Sequence, residues 1–490
     1  MPVIPSADLA GNDPGWRLDR LAVLTFSVLA VLIFVQLALP PLVGLADNGD
    51  FLRVLEPVGL VHTSDPEAWD YWYYVDPTYE MVDPAAMEVV SSELLPAAAA
   101  LGLARMAGTG TFDLRLLGAV HALIYLAGCY LVLSALGGLP QTLRVAAGVM
   151  LVLVAADASR VVYLNAFYGE SASLVFLPAV VGLMLREARS RRPSWWRTAV
   201  LCLAVLLFST SKVQNYWLAL PLLALPVVLA WRQAAWRRRL GTGLMATATL
   251  FVAVSLYVSM PSYYREPVKW DTLFRSILVD SPDPEADLRE FGLEPGLAEH
   301  VGKNAWVPGI PLFETTAQFS LGDIGRFYLR HPQRLVSIAD TCAESAFIMR
   351  DHRLGNHTEA SGFGPAAQAP SLTGWSNLVS WLLPGTLWFL VLLAVAWLAL
   401  MVRAWHRHRE LALLGLALLV MAGYSFAVAV ITEGLMDTVK HLFLFQVLVE
   451  TGLVAGVACF ALKVERWTAR GTRASAMFME RAVPGQNWRK

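Results

Sequence analysis

A chain of 490 residues with 56% hydrophobic and 16% charged residues, and a mean hydropathy of +0.51, is too apolar for a water-soluble protein of that size. A formal net charge of -1 supplies no basic face for nucleic acid, and charge matters here through its distribution among loops. The composition predicts an all-α polytopic membrane protein resident in the lipid bilayer, and the cell membrane is the expected location.

Arg17, Asp19 and Arg20 precede the first apolar run, and no small-residue cleavage site follows, which predicts a retained span rather than a removed leader. A bilayer core takes about twenty apolar residues of helix. Ten runs fit, at 20–43, 114–136, 143–162, 171–187, 197–211, 214–231, 240–259, 379–402, 410–432 and 440–463. Basic connectors orient them: Arg186 through Arg197, Arg232 with Arg237–Arg239, Arg403 with Arg407 and Arg409, and the tail with Lys463, Arg466, Arg470 and Arg473 all belong on the cytoplasmic side. The weaker apolar stretch 88–107 is then an interfacial helix, since a full span there would throw Arg186–Arg197 outside. Of the four cysteines, Cys129, Cys202 and Cys459 lie in apolar runs and Cys342 in a polar one, which leaves no disulfide framework.

This topology divides the chain into a cytoplasmic N-terminus with the first helix (1–43), an extracytoplasmic loop with interfacial helices (44–113) and helices two to seven (114–259). An extracytoplasmic subdomain (260–375), helices eight to ten (376–463) and a cytoplasmic tail (464–490) follow. The loop 44–113 carries twelve Asp and Glu against Arg53 and Arg105, and it includes the aromatic run from Trp69 to Tyr74. In the subdomain, Asp323 is placed to cap a helix running to Arg330, and Leu335, Ile338, Cys342, Ala346 and Met349 recur at helical spacing.

Unusual polar residues gather in the outer connectors. Asp47-Asn48-Gly49-Asp50 with Arg53 follows the first span, Asn165 to Glu170 and Lys212 to Asn215 follow later ones, and Glu433, Asp437, Lys440 and His441 precede the last. Ionisable groups at membrane depth are costly and mark function. Asp50, Asp47 and Glu170 are candidate catalytic carboxylates. Lys212, Lys440, His441, Arg160 and Arg53 are candidate partners of a donor phosphate, and Asn48, Asn165, Tyr168, Gln214, Asn215, Glu433 and Asp437 are candidate pocket residues. Plainer readings stand beside these: Asp47 as a helix cap, Asp157 and Arg160 as a local ion pair, Lys212 as a snorkelling side chain, Lys440-His441 as an interfacial anchor. His121 and Glu450 read as satisfied packing residues, and the aromatics at 69–74 as a loop core.

A carboxylate base beside a cationic cradle suits transfer of a sugar from a phosphate leaving group, and on the outer face the donor is a lipid phosphate rather than a cytoplasmic nucleotide sugar. The motifs Asn48-Gly49-Asp50, Asn165-Ala166-Phe167-Tyr168-Gly169-Glu170, Lys212-Val213-Gln214-Asn215 and Asp437-Thr438-Val439-Lys440-His441 resemble those of the GT-C class of integral-membrane glycosyltransferases, most closely the WsfD-type glycan-biosynthesis hexose transferases. The resemblance implies a GT-C-like helical fold, a polyprenyl-phosphate sugar donor, an inverting reaction outside the membrane and a cell-surface glycan or glycolipid acceptor. By the same resemblance, Asp50 and Asp47 are the first-loop carboxylates, and Lys212, Lys440 and His441 lie by the donor phosphate. The Asp47-x-x-Asp50 spacing leaves open a divalent cation, Mg or Mn. A flippase of lipid-linked saccharide, or a glycan polymerase or ligase using lipid diphosphates, shares much of the pattern. A transporter, however, favours paired repeats and midplane sites, and the two halves of this chain show no repeat.

Overall fold

The computed structural model describes residues 19–461 apart from 64–71, 88, 191–193, 234–235, 407, 434, 436, 458 and 460. Arg17, Trp69 to Tyr71, Arg191, Arg192, Arg407 and the tail from Lys463 lie outside the described residues, as do the side chains of Arg232 and Glu433.

The protein is an all-α polytopic membrane protein. Its first helix, α1 (Arg20–Ala38), starts where Asp19 accepts the amide of Ala22 at 3.0 Å. Next come a short α2 (Leu52–Val58) and strands β1 (Leu60–His62) and β2 (Thr78–Met81), then α3 (Leu94–Met106) and β3 (Thr111–Asp113). The three strands form one antiparallel sheet in the order β1-β2-β3, pairing His62 with Tyr79 and Tyr79 with Phe112. Period-two patterning in runs of three or four residues is too short to read in a sequence, and the sheet was not among the expected elements of the 44–113 segment.

Helices α4 (Leu114–Ala135), α5 (Gln141–Ala155), α6 (Gly169–Arg189), α7 (Trp195–Ser209), α8 (Ala219–Gln233) and α9 (Trp236–Val258) build the larger part of the bundle. The most enclosed span is α6, with 78% of its apolar window buried. It lies backbone to backbone against α4: a Cβ on Gly128 would fall 2.7 Å from the Ala179 nitrogen, and one on Gly182 would fall 2.7 Å from the Val132 nitrogen. Small residues are what permit such an approach between helices in lipid.

The segment 260–344 encloses a second core. There α10 (Ser262–Thr272), α11 (Pro284–Glu290), α12 (Leu321–Arg330) and α13 (Pro332–Glu344) close over Trp270, Phe274, Leu288, Phe327 and Cys342. The cap of α12 is Ser320 rather than the expected Asp323, which instead sits at the third helical position and returns a bond to the Ser320 amide, completing a capping box. Finally α14 (Gly374–Leu382), α15 (Leu387–Trp405), α16 (Arg409–Val428) and α17 (Phe443–Val457) return to the bundle.

Among the described residues, seven helices are long and apolar enough to cross a membrane, and an eighth if α5 and the turn Ala158–Asn165 make one bent span. One of the ten expected spans is a short helix here: at 15 residues, α7 is about 22 Å long, because the polar Thr210-Ser211-Lys212 ends it. The expected span 379–402 is interrupted between α14 and α15.

The break after α5, a bend of 59°, is set by Asp157, which accepts the amides of Ser159 at 3.0 Å and Ser376 at 2.9 Å. Asp157 is therefore committed to backbone, and Arg160 does not pair with it. Instead Arg160, 1% exposed, donates to Glu450 at 3.0 and 2.6 Å, and the opposite Glu450 oxygen accepts the Trp375 indole at 2.5 Å. This corrects the reading of Arg160 as a phosphate ligand: its charge is used inside the bundle. Glu450 is, as expected, a satisfied packing residue, and His121 pairs with Glu93 at 2.9 Å while its other nitrogen meets the Leu164 carbonyl.

Removing one partner of a buried pair leaves an uncompensated charge, which typically costs about 3–5 kcal/mol. Arg160→Ala is expected to lower stability by about that much, and the joint replacement Arg160→Met with Glu450→Leu to recover most of it. Thermal unfolding of the detergent-solubilised chain measures both; equal losses in the single and joint variants would contradict the assignment.

Candidate active site

The turn after α1 is held from three sides before its carboxylates are reached. The extended residues 44–46 bond to the backbone of the 355–357 segment and of Asn165: Gly44 N to Asn356 O at 3.1 Å, Ala46 N to Gly355 O at 2.9 Å, Leu45 N to Asn165 O at 3.4 Å. The Asn165 amide donates to the Val43 carbonyl at 2.7 Å, and the Tyr168 hydroxyl donates to the Ala46 carbonyl at 2.6 Å while accepting from Asn48 N at 3.0 Å. Asn165 and Tyr168 are 0% and 1% exposed. Both were expected in the substrate pocket. They lie beneath the turn instead, because each spends its polar group on the turn's backbone.

Asp47 closes the turn. One carboxylate oxygen accepts the amides of Gly49 at 2.8 Å and Phe51 at 3.1 Å, and Gly49 takes a φ of 94°, where a side chain would be strained. Asp47 thus shapes the turn ahead of α2 rather than capping the helix as one reading expected, since the N-cap of that helix is Phe51. Its second oxygen meets His62 Nε2 at 3.1 Å, and His62 Nδ1 meets Asp76 at 2.6 Å.

Asp50 projects from the same turn with its side chain 24% exposed. Arg53 pairs with it at 3.0 Å, and Lys440 Nζ bonds both to it and to the Asn48 carbonyl oxygen. Lys440 itself, 2% exposed, lies 4.0 Å from the centre of the Tyr168 ring. Lys212 donates to Glu170 at 2.6 Å and stands 3.5 Å from His441 Nδ1. Three cations face two carboxylates in this chain of contacts, leaving one positive charge in excess. Burial alone would raise the pKa of Asp50, but Arg53, Lys440 and Lys212 outweigh it and hold the carboxyl well below the usual carboxylate range.

Beside these pairs opens a small cleft of about 30 Å³. Glu170, Lys212, Gln214, Asn215, Lys440 and His441 line its polar part, and Tyr424, Val428 and Leu444 its apolar part. Asp50, Asp47, Asn48, Arg53 and Asp437 stand next to the cleft rather than lining it. The arrangement joins an anion-attracting head to an apolar wall, the chemistry of a phosphate attached to a hydrocarbon chain.

Two residues that no motif pointed to complete the neighbourhood. Arg353 bonds to Asp351 through two nitrogens, at 3.0 and 2.7 Å, and to Asp437 at 2.7 Å, so it ties the 350–357 loop to the turn before α17. Asp437 has a φ of 39° and also faces the Asn48 amide at 3.5 Å. His62, on β1, is the other. The charge run Arg350-Asp351-His352-Arg353 in a loop, and a histidine ending an apolar Leu60-Val61 pair within an acidic segment, were the signals available.

The carboxylates do not fit a divalent cation. Asp47 is taken up by two amides and His62, Asp50 by Arg53 and Lys440, and among the described residues no group of three or more His, Cys, Asp or Glu is placed to hold a metal ion.

A family model described as the YfdI N-terminal transmembrane domain matches residues 16–476. No curated protein matches the chain.

Although burial lowers the pKa of His62, hydrogen bonds to Asp47 and Asp76 outweigh it and raise it from 6.5 to about 9. A group whose pKa rises on folding stabilises the fold fully below its unfolded value and loses that contribution as pH rises through its folded value. The thermal stability advantage of the wild type over His62→Gln is therefore expected to be greatest below about pH 6.5 and to vanish above about pH 9. Melting curves across that range check it; an advantage that grows with pH would contradict the imidazolium bridge.

Proposed function

The chain belongs to the YfdI N-terminal transmembrane domain family, and from that premise we propose that it is a membrane glycosyltransferase of GT-C-like build that moves a hexose from a polyprenyl-phosphate donor to a cell-surface glycan or glycolipid. The resemblance of its motifs to those of the WsfD-type hexose transferases supports that kind of reaction. The observation that carries the reading is the meeting of four segments distant in sequence, around Asp50, Glu170, Lys212 and Lys440-His441, beside a cleft that is cationic at one side and apolar at the other.

Their chemistry divides the work. The donor phosphate is drawn to Lys212 and Lys440, with His441 beside them, and the prenyl chain lies along the apolar wall near Tyr424, Val428 and Leu444. Asp50 accepts the proton of an acceptor hydroxyl while that oxygen bonds to the anomeric carbon, and the bond from that carbon to the phosphate oxygen breaks with its electron pair passing to the phosphate. The cations meet the charge that develops there, which is where fixed electrostatics contribute most. Attack opposite the leaving phosphate inverts the anomeric centre.

Asp50 is a poor base while Lys440 and Arg53 hold it. A phosphate between Lys440 and Lys212 competes for both ammonium groups, so donor binding raises the proton affinity of Asp50 as the reaction requires. The basic connectors at the far ends of the helices support an outward-facing site, where lipid-linked donors rather than nucleotide sugars are at hand.

A transfer assay tests the reading. The purified chain, given radiolabelled polyprenyl-phosphate hexose and membrane extract, is expected to pass label to a glycan or lipid product. Asp50→Asn removes the base at nearly constant shape and is expected to reduce transfer at least about a hundredfold, within the range of lost general-base catalysis, in protein kept below a melting temperature that falls because buried Lys440 loses its counter-charge. Transfer by Asp50→Asn at the wild-type rate would remove this carboxylate from the reaction.

A further inference from the structure

His62 is not among the residues that line the cleft, yet it holds the residue that shapes the turn beneath Asp50. We propose that His62 is a positioning residue for the Asp50 carboxylate: it fastens Asp47 to the three-stranded sheet and thereby fixes the turn that aims Asp50 at the cleft. The proposal rests on the reading of Asp50 as the base.

The geometry runs through Asp47. Its first oxygen takes the amides of Gly49 and Phe51, the two residues on either side of Asp50. Any rotation of the Asp47 carboxylate releases those amides and with them the direction of Asp50. What opposes rotation is the second oxygen, held by His62 Nε2 at 3.1 Å. His62 in turn is fixed at its other nitrogen by Asp76 at 2.6 Å, and its ring lies parallel to Phe51, 3° between planes with centroids 6.5 Å apart. Tyr79, paired with His62 across the β1–β2 ladder, packs its ring 5.2 Å away. The titratable groups around the imidazole, among the described residues, include Asp47 from the turn, Asp76 from the approach to β2, and Tyr79 from β2 itself.

Both ring nitrogens face carboxylate oxygens, which accept and do not donate, so each nitrogen must carry a proton. An imidazolium meets that need. A neutral ring would turn a lone pair toward one of the acids. His62 is 12% exposed and Asp47 3%, so water does not readily replace the bond. Asp47 therefore links a rigid element, the sheet, to a turn whose own glycine would otherwise leave it loose. The side chain acts two residues removed from the chemistry, with no role in binding the donor.

The test uses the full-length chain in nanodiscs, with polyprenyl-phosphate hexose and membrane extract. Misplacing a catalytic group by about 1 Å costs about a hundredfold in rate. His62→Gln is expected to lower kcat between about tenfold and a hundredfold and to leave the donor KM within about twofold. Amide hydrogen exchange at residues 47–53 is expected to quicken while that around Glu170 and Lys212 stays as it was. His62→Arg, which keeps the charge and can donate to both acids, is expected to restore part of kcat. An unchanged kcat in His62→Gln, or a rise in KM alone, would overturn the proposal. If His62→Gln fails to fold, Asp76→Asn carries the test: a fall in kcat with the donor KM preserved supports the proposal, and a wild-type kcat overturns it. Asp50→Asn separates the two readings. If it retains transfer, the base assignment fails, and exchange at 47–53 in His62→Gln still decides whether His62 holds the turn.

Discussion

A charge drawn out of water at the end of a helix bundle must find an opposite charge, and in this protein that requirement joins segments hundreds of residues apart. Lys440, almost fully enclosed, is held by Asp50 and Asn48 from the turn after the first helix. Lys212 is held by Glu170 at the head of the most enclosed span, and deeper in the bundle Arg160 is held by Glu450. Without the Lys440–Asp50 contact, the first turn and the approach to the last helix would lose their common register, and the cleft would lose the side on which its charge is concentrated. The deep pair, by contrast, is enclosed within the fold, where Glu450 also accepts the Trp375 indole and Arg160 lies over the Phe443 ring.

The same constraint accounts for the division of labour among the polar residues. Asn165 and Tyr168, which bond to the backbone of the turn, and Asp47, which holds two of its amides and His62, form a platform. Asp50 with Lys440 and Arg53, and Glu170 with Lys212, are paired by side-chain contacts that, on the proposed reading, a bound phosphate exchanges. On the proposed reading, an ion pair that satisfies two buried charges in the resting protein, and that an anionic substrate can divide, keeps the base in an unreactive form until the donor arrives. The sheet adds rigidity from outside the bundle, and the loop carrying Arg353 closes the other flank against Asp437.

Much of this was legible in the residues. Apolar run length located the helices, since a bilayer sets a length that composition alone reveals, and arginine in the connectors grouped the polar motifs at one end. What could not be read were partnerships between distant positions. Arg160 has Asp157 three residues away and an obvious local mate, yet it pairs with Glu450, because Asp157 is needed by two amides at a helix break. Asn165 and Tyr168 carry the polarity of pocket residues but lie under the turn, a distinction that depends on which backbone groups would otherwise go unpaired. His62 was hidden by strands of three or four residues, whose periodicity is too brief to register.

The central claim is that Lys440 and Lys212 form the seat of a lipid phosphate beside Asp50. Its most direct test is the thermal shift of the full-length protein titrated with polyprenyl phosphate and, separately, with the uncharged polyprenol. The phosphate is expected to stabilise the wild type by several degrees, about 3 kcal/mol at a hundredfold excess over its Kd, the alcohol far less, and a Lys440→Met, Lys212→Met variant is expected to lose the difference. Equal stabilisation by phosphate and alcohol, or a phosphate-specific shift that survives in that variant, would contradict the account.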